Sequence, residues 1–131
     1  MLKIIIACHG KLASELKQSS FIIFGEQDDV VSVDYLEDEE PADLEEKFTA
    51  IFDKLPANQE VLILTDLYLG QPFNTAKKFV DQKTSLYHLI SGVNLAMLLE
   101  SYTVRQEKFD LSYLEIIGQE AIQSYRGQED A

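Results

Sequence analysis

The sequence predicts an α/β fold that is doubly wound around a mostly parallel central sheet, with helices on both faces. Short β-branched apolar runs alternate with segments whose apolar residues recur at helical spacing. Residues 2–8 and 61–64 are nearly continuous apolar runs, which is typical of strands buried on both faces. Such alternation favours parallel strands joined by helical crossovers. We expect about four parallel strands and a C-terminal edge strand, forming one domain over residues 1–131.

Four strands and five helices follow from this alternation. The strands are predicted at residues 2–8, 30–36, 60–65 and 86–91. The helices are predicted at residues 11–24, 43–55, 72–82, 94–104 and 111–119. Gly25 is a typical C-terminal cap for the first helix, and Pro56 ends the second. Pro72 can open the third helix because the first helical position needs no N–H.

The remaining segments are short connections and one C-terminal strand. Residues 37–41 form an acidic loop that ends in a proline, and its charges indicate a solvated surface. Gly92 leads into the fourth helix. Residues 121–125 either extend the last helix or form a short edge strand. Gly118 interrupts the helical pattern just before them, which favours the strand.

Composition and charge limit the classes of function. The net charge of −12 repels phosphate backbones and anionic lipid, which argues against nucleic-acid binding and direct membrane docking. That charge favours a basic partner, or it serves solubility alone. The apolar runs are too short to cross a bilayer, and we expect no signal peptide. A single cysteine cannot form an internal disulfide, so we expect a cytoplasmic protein.

Two polar residues follow buried strands at the edge where function gathers in such sheets. His9 ends the first strand and Asp66 follows the third, and strands one and three are typically neighbours in doubly wound sheets. A histidine that accepts a phosphoryl group attacks with one ring nitrogen while the other keeps its proton. A carboxylate on that second nitrogen fixes the tautomer and stabilises the growing positive charge. The pair therefore predicts a phosphorylated catalytic histidine, His9, oriented by Asp66.

Glycines and helix starts beside this pair predict a phosphoryl-binding pocket. Gly10 allows close approach, and the helices after His9 and at Pro72 offer free N–H groups and a positive dipole end to an anion. Phosphoryl transfer asks mainly for positioning and charge stabilisation. The candidate residues for binding the phosphoryl group or a partner are Gly10, Leu67, Gly70, Gln71 and Phe73.

Other chemistries fit the sequence less well. Successive strand side chains point to opposite faces, so Cys8 is predicted to face the core while His9 faces the opening. His88, inside the fourth strand, is predicted to be structural. Two histidines and one cysteine match no standard zinc pattern, and no glycine-rich nucleotide fingerprint is present, so we expect no metal and no cofactor. Asp66 itself could serve only to cap a turn.

Three segments resemble one family in order and spacing. They are IIACHGKLA at residues 5–13, LTDLYLGQPFN at residues 64–74 and ISGVNLAMLLE at residues 90–100. These segments, with Gly25-Glu26-Gln27 after the first helix, resemble the enzyme IIA component of the mannose family in the bacterial sugar phosphotransferase system. The resemblance spans essentially the whole chain.

The resemblance implies a phosphotransferase that relays phosphate between proteins. His9 would receive a phosphoryl group on Nε2 from the phosphohistidine of the carrier protein HPr, with Asp66 holding Nδ1. It would pass the group to a histidine of a IIB component, here a separate polypeptide because the chain stops at Ala131. The IIB component phosphorylates sugar entering through a membrane IIC–IID pair, so association with the membrane would be peripheral. Family members are homodimers that exchange a C-terminal edge strand, which would be residues 121–125.

Two departures and two alternatives accompany the resemblance. Many relatives carry a glycine and a serine or threonine where this chain has Leu69 and Gln71, so Gln71 would contact the phosphoryl group through its amide or only its backbone. One alternative is the phosphocarrier subunit of a dihydroxyacetone kinase system, whose segment lacks the Pro-Phe-Asn ending at residues 72–74. The other is a receiver-type signalling module phosphorylated on Asp66, although such a module needs acidic residues where Cys8 and His9 stand.

Overall fold

Four parallel strands form the sheet, in the order β2-β1-β3-β4. A computed structural model describes residues 1–128. The strands are β1 (Lys3–His9), β2 (Val30–Tyr35), β3 (Val61–Thr65) and β4 (Tyr87–Ser91). The helices are α1 (Leu12–Phe24), α2 (Pro41–Phe52), α3 (Gln71–Val80), α4 (Leu95–Val104) and α5 (Leu111–Glu120). The predicted alternation of parallel strands and helices is confirmed; residues 129–131 of the predicted single domain lie outside the described residues.

Side chains of the central strands divide the core into two layers. In β1, Ile4 and Ile6 belong to one apolar cluster, which is covered by α1, α4 and α5. Ile5 and Ala7 belong to the opposite cluster, which is covered by α2 and α3. All four side chains are fully buried. Helices therefore cover both faces, which explains why β1 and β3 are continuous apolar runs rather than alternating ones.

Strand order reverses between β1 and β3, which are hydrogen-bonded neighbours as predicted. From β1 the chain moves outward to β2, then returns across β1 to β3. The connections after β1 and β3 therefore diverge at the carboxyl edge and leave a crevice there. Both segments that carry the candidate site residues begin at this crevice. Within residues 1–128 no helix is both long and apolar enough to cross a membrane.

The second helix begins earlier than its apolar pattern indicates. Pro41, predicted to close the acidic loop, is instead the first residue of α2. Glu40 and Asp43 form a capping box, in which the backbone N–H of Glu40 donates to Asp43 Oδ2 at 2.8 Å. The helix ends at Phe52, before Pro56 is reached. Capping chemistry, rather than the apolar repeat, therefore sets the start of this helix.

The predicted edge strand at residues 121–125 is absent from the sheet of the single chain. Gly118, predicted to interrupt the helix, lies inside α5. A Cβ there would meet Met97 Cε at 2.5 Å, so glycine permits the close packing of α5 on α4. Ala121 caps the helix, and residues 122–127 form neither helix nor strand. A strand needs a partner for its backbone groups, and no other strand of residues 1–128 pairs with this segment.

Candidate functional site

The Asp66 carboxylate holds both the backbone and the ring of His9. Asp66 Oδ2 accepts hydrogen bonds from His9 N at 3.0 Å and lies 3.0 Å from His9 Nδ1. Asp66 Oδ1 lies 3.2 Å from the same ring nitrogen and accepts from Leu67 N at 3.0 Å. Because a carboxylate only accepts, the proton on the neutral ring belongs on Nδ1. These bonds fix the rotation of the imidazole as well as its tautomer.

The same arrangement leaves the other ring nitrogen available. The His9 side chain is 42% exposed, whereas that of Asp66 is only 13% exposed. Within residues 1–128 the ring hydrogen bonds of His9 involve Nδ1 alone. With its proton on Nδ1, the ring carries a lone pair on Nε2. The site is therefore arranged as an oriented nucleophile with one accessible nitrogen.

Two further residues, Gly70 and Tyr35, confine the His9 ring. A Cβ added at Gly70 would lie 2.9 Å from His9 Cε1, so the missing side chain gives the imidazole its place. The Tyr35 ring lies 6.1 Å from that of His9, centroid to centroid. The Tyr35 carbonyl also accepts from Gly10 N at 2.7 Å, while Gly10 adopts a left-handed φ of 61°. Tyr35 was missed in the sequence, although it ends β2 at the same edge.

A tight turn connects Asp66 to α3. Gly70 N donates to the Leu67 carbonyl at 3.1 Å, which closes the turn. Asn74 Nδ2 donates to the Leu69 carbonyl at 3.0 Å and ties the turn to the helix. Leu69 adopts a φ of 65°, the left-handed region that favours glycine. From the sequence, Leu69 is identified only as a departure from the glycine that many relatives carry at this position.

The start of α3 presents backbone donors rather than a side-chain amide. Gln71 Nε2 donates to Thr75 Oγ1 at 3.1 Å, so this amide bonds along the helix. Pro72 has no N–H, and the N–H groups of the first turn therefore belong to Gln71 and Phe73. The Phe73 ring packs against Tyr68, with centroids 5.0 Å apart. Of the predicted pocket residues, Gln71 therefore offers its backbone N–H at the helix start rather than its side-chain amide. Phe73 offers its backbone N–H there as well, while its ring contacts Tyr68.

Cys8 and His88 lie apart from this arrangement. Cys8 is fully buried, as predicted, and burial raises the pKa of its thiol to about 12, with smaller contributions from Asp66 and Asp34. His88 Nε2 lies 2.9 Å from Glu60 Oε2, before the start of β3 and so toward the opposite edge of the sheet. Its ring packs against Phe109. In the described part of the chain, no group of three or more His, Cys, Asp and Glu side chains could hold a metal ion.

Comparison with known proteins places the chain in a family. Residues 3–114 match the family model for the IIA component described as "PTS system fructose IIA component". The chain belongs to this family. The PTS system fructose-specific EIIA component of Bacillus subtilis (strain 168) is 33% identical over 126 residues, which cover 94% of this chain and 86% of that protein. The chain is thus a phosphotransferase component, a phosphocarrier of a sugar phosphotransferase system.

Further relatives agree in sequence and in structure. The PTS system mannose-specific EIIAB component of Escherichia coli (strain K12) is 36% identical over 87% of this chain, and the chain spans 34% of its length. The mannose/sorbose-specific IIA subunit from Enterococcus faecalis has a TM-score of 0.85 at 29% identity, covering 97% of this chain and 96% of that one. EIIA from Streptococcus agalactiae has a TM-score of 0.84 at 28% identity, covering 95% and 97%.

Cys8 is expected to be unreactive in the folded protein. At pH 8 a thiol whose pKa is about 12 is almost entirely protonated, and burial also blocks access. Alkylation by iodoacetamide should therefore be about 10³-fold slower than in guanidinium-unfolded chain, as measured by mass spectrometry over time. Equal rates in the folded and unfolded protein would show an accessible thiolate and contradict the burial of Cys8.

Proposed function

We propose that His9 is the phosphoacceptor of this phosphocarrier. It takes a phosphoryl group from the phosphohistidine of HPr and passes it to a histidine of a IIB component. The observation that supports this role is the Asp66 carboxylate on Nδ1, which leaves Nε2 as the one accessible ring nitrogen. In each step an N–P bond of the donor histidine breaks and a bond from the acceptor nitrogen to phosphorus forms.

Asp66 has two roles in this step. Its hydrogen bonds to His9 N and Nδ1 hold the ring in the orientation needed for in-line attack, so little orientational entropy is lost in the transition state. As Nε2 shares its lone pair with phosphorus, positive charge grows on the imidazole. The carboxylate 3.0 Å away stabilises that charge without itself taking the proton.

The phosphoryl group would rest against the start of α3. Gly70 packs against Cε1 of His9, the ring carbon bonded to Nε2, so the N-terminus of this helix lies close to the phosphorylated atom. The N–H groups of Gln71 and Phe73 and the positive end of the helix dipole favour an anion there. Gly10 follows His9 at the end of β1, and Leu67 donates its backbone N–H to Asp66 Oδ1 after β3. The Gln71 side chain, bonded to Thr75, has no role in this proposal.

We also propose a homodimer in which residues 121–125 of one chain pair with β4 of the other. The outer edge of β4 has no strand partner within residues 1–128. A groove runs beside this edge and is lined by Tyr68, Phe73, Leu89, Ile90, Leu111 and Glu115. Ile122 and Tyr125 are 82% and 83% exposed in the single chain. A second copy would bury both apolar side chains and provide hydrogen-bond partners for the backbone groups at the outer edge of β4.

The proposed cellular setting follows from these partners. A phosphocarrier that meets HPr and IIB works in the cytoplasm, and IIB would connect it peripherally to the membrane IIC–IID pair. No cofactor or metal takes part in the proposed transfer, because the phosphoryl group moves directly between imidazoles. Residues 1–131 would act as one domain.

Incubation with phosphorylated HPr tests the acceptor directly. We expect an acid-labile, base-stable phosphate on the chain, which is lost in His9→Ala and retained in His88→Ala, the matched control at the other histidine. The label is followed by gel and mass spectrometry after acid and base treatment. A label that survives in His9→Ala would overturn the proposal, and an acid-stable, base-labile acyl phosphate on Asp66 would favour the receiver alternative.

Replacement of Asp66 by asparagine should slow transfer with the fold retained. The amide puts an NH₂ group where an oxygen accepts from His9 or Leu67, which disturbs ring orientation and removes the charge that stabilises the imidazolium. We expect transfer from phosphorylated HPr to fall by about 10²-fold or more, measured by rapid quench. The matched control Asp81→Asn, in an exposed ion pair with Lys77, should transfer normally. An unchanged rate in Asp66→Asn would exclude the orienting role.

Acidic substitutions in the C-terminal segment test the dimer. The double variant Ile122→Glu, Tyr125→Glu should be monomeric by sedimentation equilibrium while the wild type is dimeric, because two buried charges would oppose strand exchange. Ile22→Glu, at an exposed apolar position of α1, is the control and should stay dimeric. A dimeric double variant would contradict exchange of this segment, and a monomeric wild type would contradict the dimer itself.

A further inference from the structure

The Leu69 backbone adopts a conformation that its side chain disfavours. Within residues 1–128 the non-glycine residues with positive φ are Asp29 and Leu69, at 55° and 65°. Aspartate tolerates this region because its short polar side chain bonds locally, whereas leucine carries a steric penalty there. Glycine would form the same turn without that penalty. A leucine at this position therefore needs a compensating use.

The hydrogen bonds that fix this turn do not involve the Leu69 side chain. Asn74 Nδ2 holds the Leu69 carbonyl at 3.0 Å, and Gly70 N closes the turn onto Leu67. Both contacts involve backbone oxygens and would be the same for any residue at position 69. Leu69 as a whole is 60% exposed, so most of its side chain is available to a partner.

Leu69 belongs to a group of exposed apolar residues that lie close to His9 along the chain and in the turn after Asp66. This apolar collar consists of Leu12, Leu67 and Leu69, all of them exposed. Leu12 follows His9 by three positions, and the two others lie in the turn between Asp66 and Gly70, which ends beside the His9 ring. Tyr68 in the same turn packs on Phe73 and lines the groove beside β4, so it is not part of the collar. Exposed apolar residues beside a reactive group are typical of a protein interaction site.

The reaction determines what covers the collar. For an N–P bond to form at Nε2, the donor phosphorus must come within about 3–3.5 Å of that atom. The His9 ring sits against the turn, so a protein that delivers phosphorus at this range also meets the side chains of the turn. The collar side chains are uncharged, so the net charge of −12 does not act through them. The contact of the collar with the donor is therefore short-range and apolar.

We propose that Leu69 is a specificity-determining residue, which packs against an apolar patch beside the phosphohistidine of the donor protein. The left-handed backbone holds its side chain in the collar at a cost in stability. This inference rests on the proposed function of His9. It adds that recognition of the donor depends on a residue that weakens the folded state.

Leu69→Asn and Leu69→Gly separate recognition from folding, since both residues accept the observed φ. We expect the KM for phosphorylated HPr to rise about 5- to 20-fold, while kcat changes less than about twofold. The melting temperature of Leu69→Asn should rise by about 1–4 °C; glycine gains less because it also increases the entropy of the unfolded chain. Leu69→Met keeps a large apolar side chain at this position, so its KM should stay within about twofold of the wild type.

The control is Ile22→Asn, which removes an exposed apolar side chain ten residues further along α1 than Leu12, about 15 Å away. It should leave KM unchanged. Equal KM values for Leu69→Asn and the wild type would overturn the inference while leaving the phosphoacceptor role of His9 intact. A lower melting temperature together with a lower kcat and constant KM would also overturn it, because Leu69 would then be structural. A wild-type chain that HPr does not phosphorylate would instead defeat the proposed function.

Discussion

A carboxylate at the end of β3 accepts hydrogen bonds from both the backbone and the ring of a histidine at the end of β1. The register sets this contact: Ala7 pairs with Thr65, so Asp66 lies beside Cys8 and one residue behind His9. From there its Oδ2 is within 3.0 Å of both His9 N and Nδ1. A shift of one residue in this pairing would remove both contacts at once, so the site depends on the packing that fixes the sheet register.

The alternation of strand side chains gives adjacent residues opposite environments. Cys8 is fully buried, and its thiol has a pKa raised by burial, whereas the His9 ring is part-exposed at the crevice. This arrangement excludes a cysteine–histidine couple, in which a thiolate would have to face the imidazole. The thiol instead belongs to the layer of apolar side chains beneath α1, α4 and α5. The core and the reactive group therefore share one strand without sharing an environment.

Stability and chemistry make different demands on the turn between Asp66 and α3. Gly70 leaves space for the His9 ring, with the added-Cβ distance of 2.9 Å showing how closely the two pack. Leu69, one residue earlier, carries a large exposed side chain on a left-handed backbone. Strained backbone persists only where surrounding contacts over-determine it, here the bonds from Asn74 and Gly70. The strained backbone thus lies in the turn one residue before the glycine that packs against the His9 ring.

The sequence by itself determined the strand and helix order, the neighbouring of β1 and β3, and the pairing of His9 with Asp66. Apolar periodicity acts locally along the chain, and the handedness and layer rules of parallel sheets leave few possible strand arrangements. Both can therefore be applied to a sequence alone. Helix ends were less predictable, because the capping box at Glu40 and the packing of Gly118 on Met97 override the apolar repeat. The tertiary structure alone decided the hydrogen bond of Gln71 to Thr75, the left-handed Leu69 and the contact of Gly70 with the His9 ring. Each is an ångström-scale outcome of how β1 and α3 meet, and periodicity carries no information at that scale.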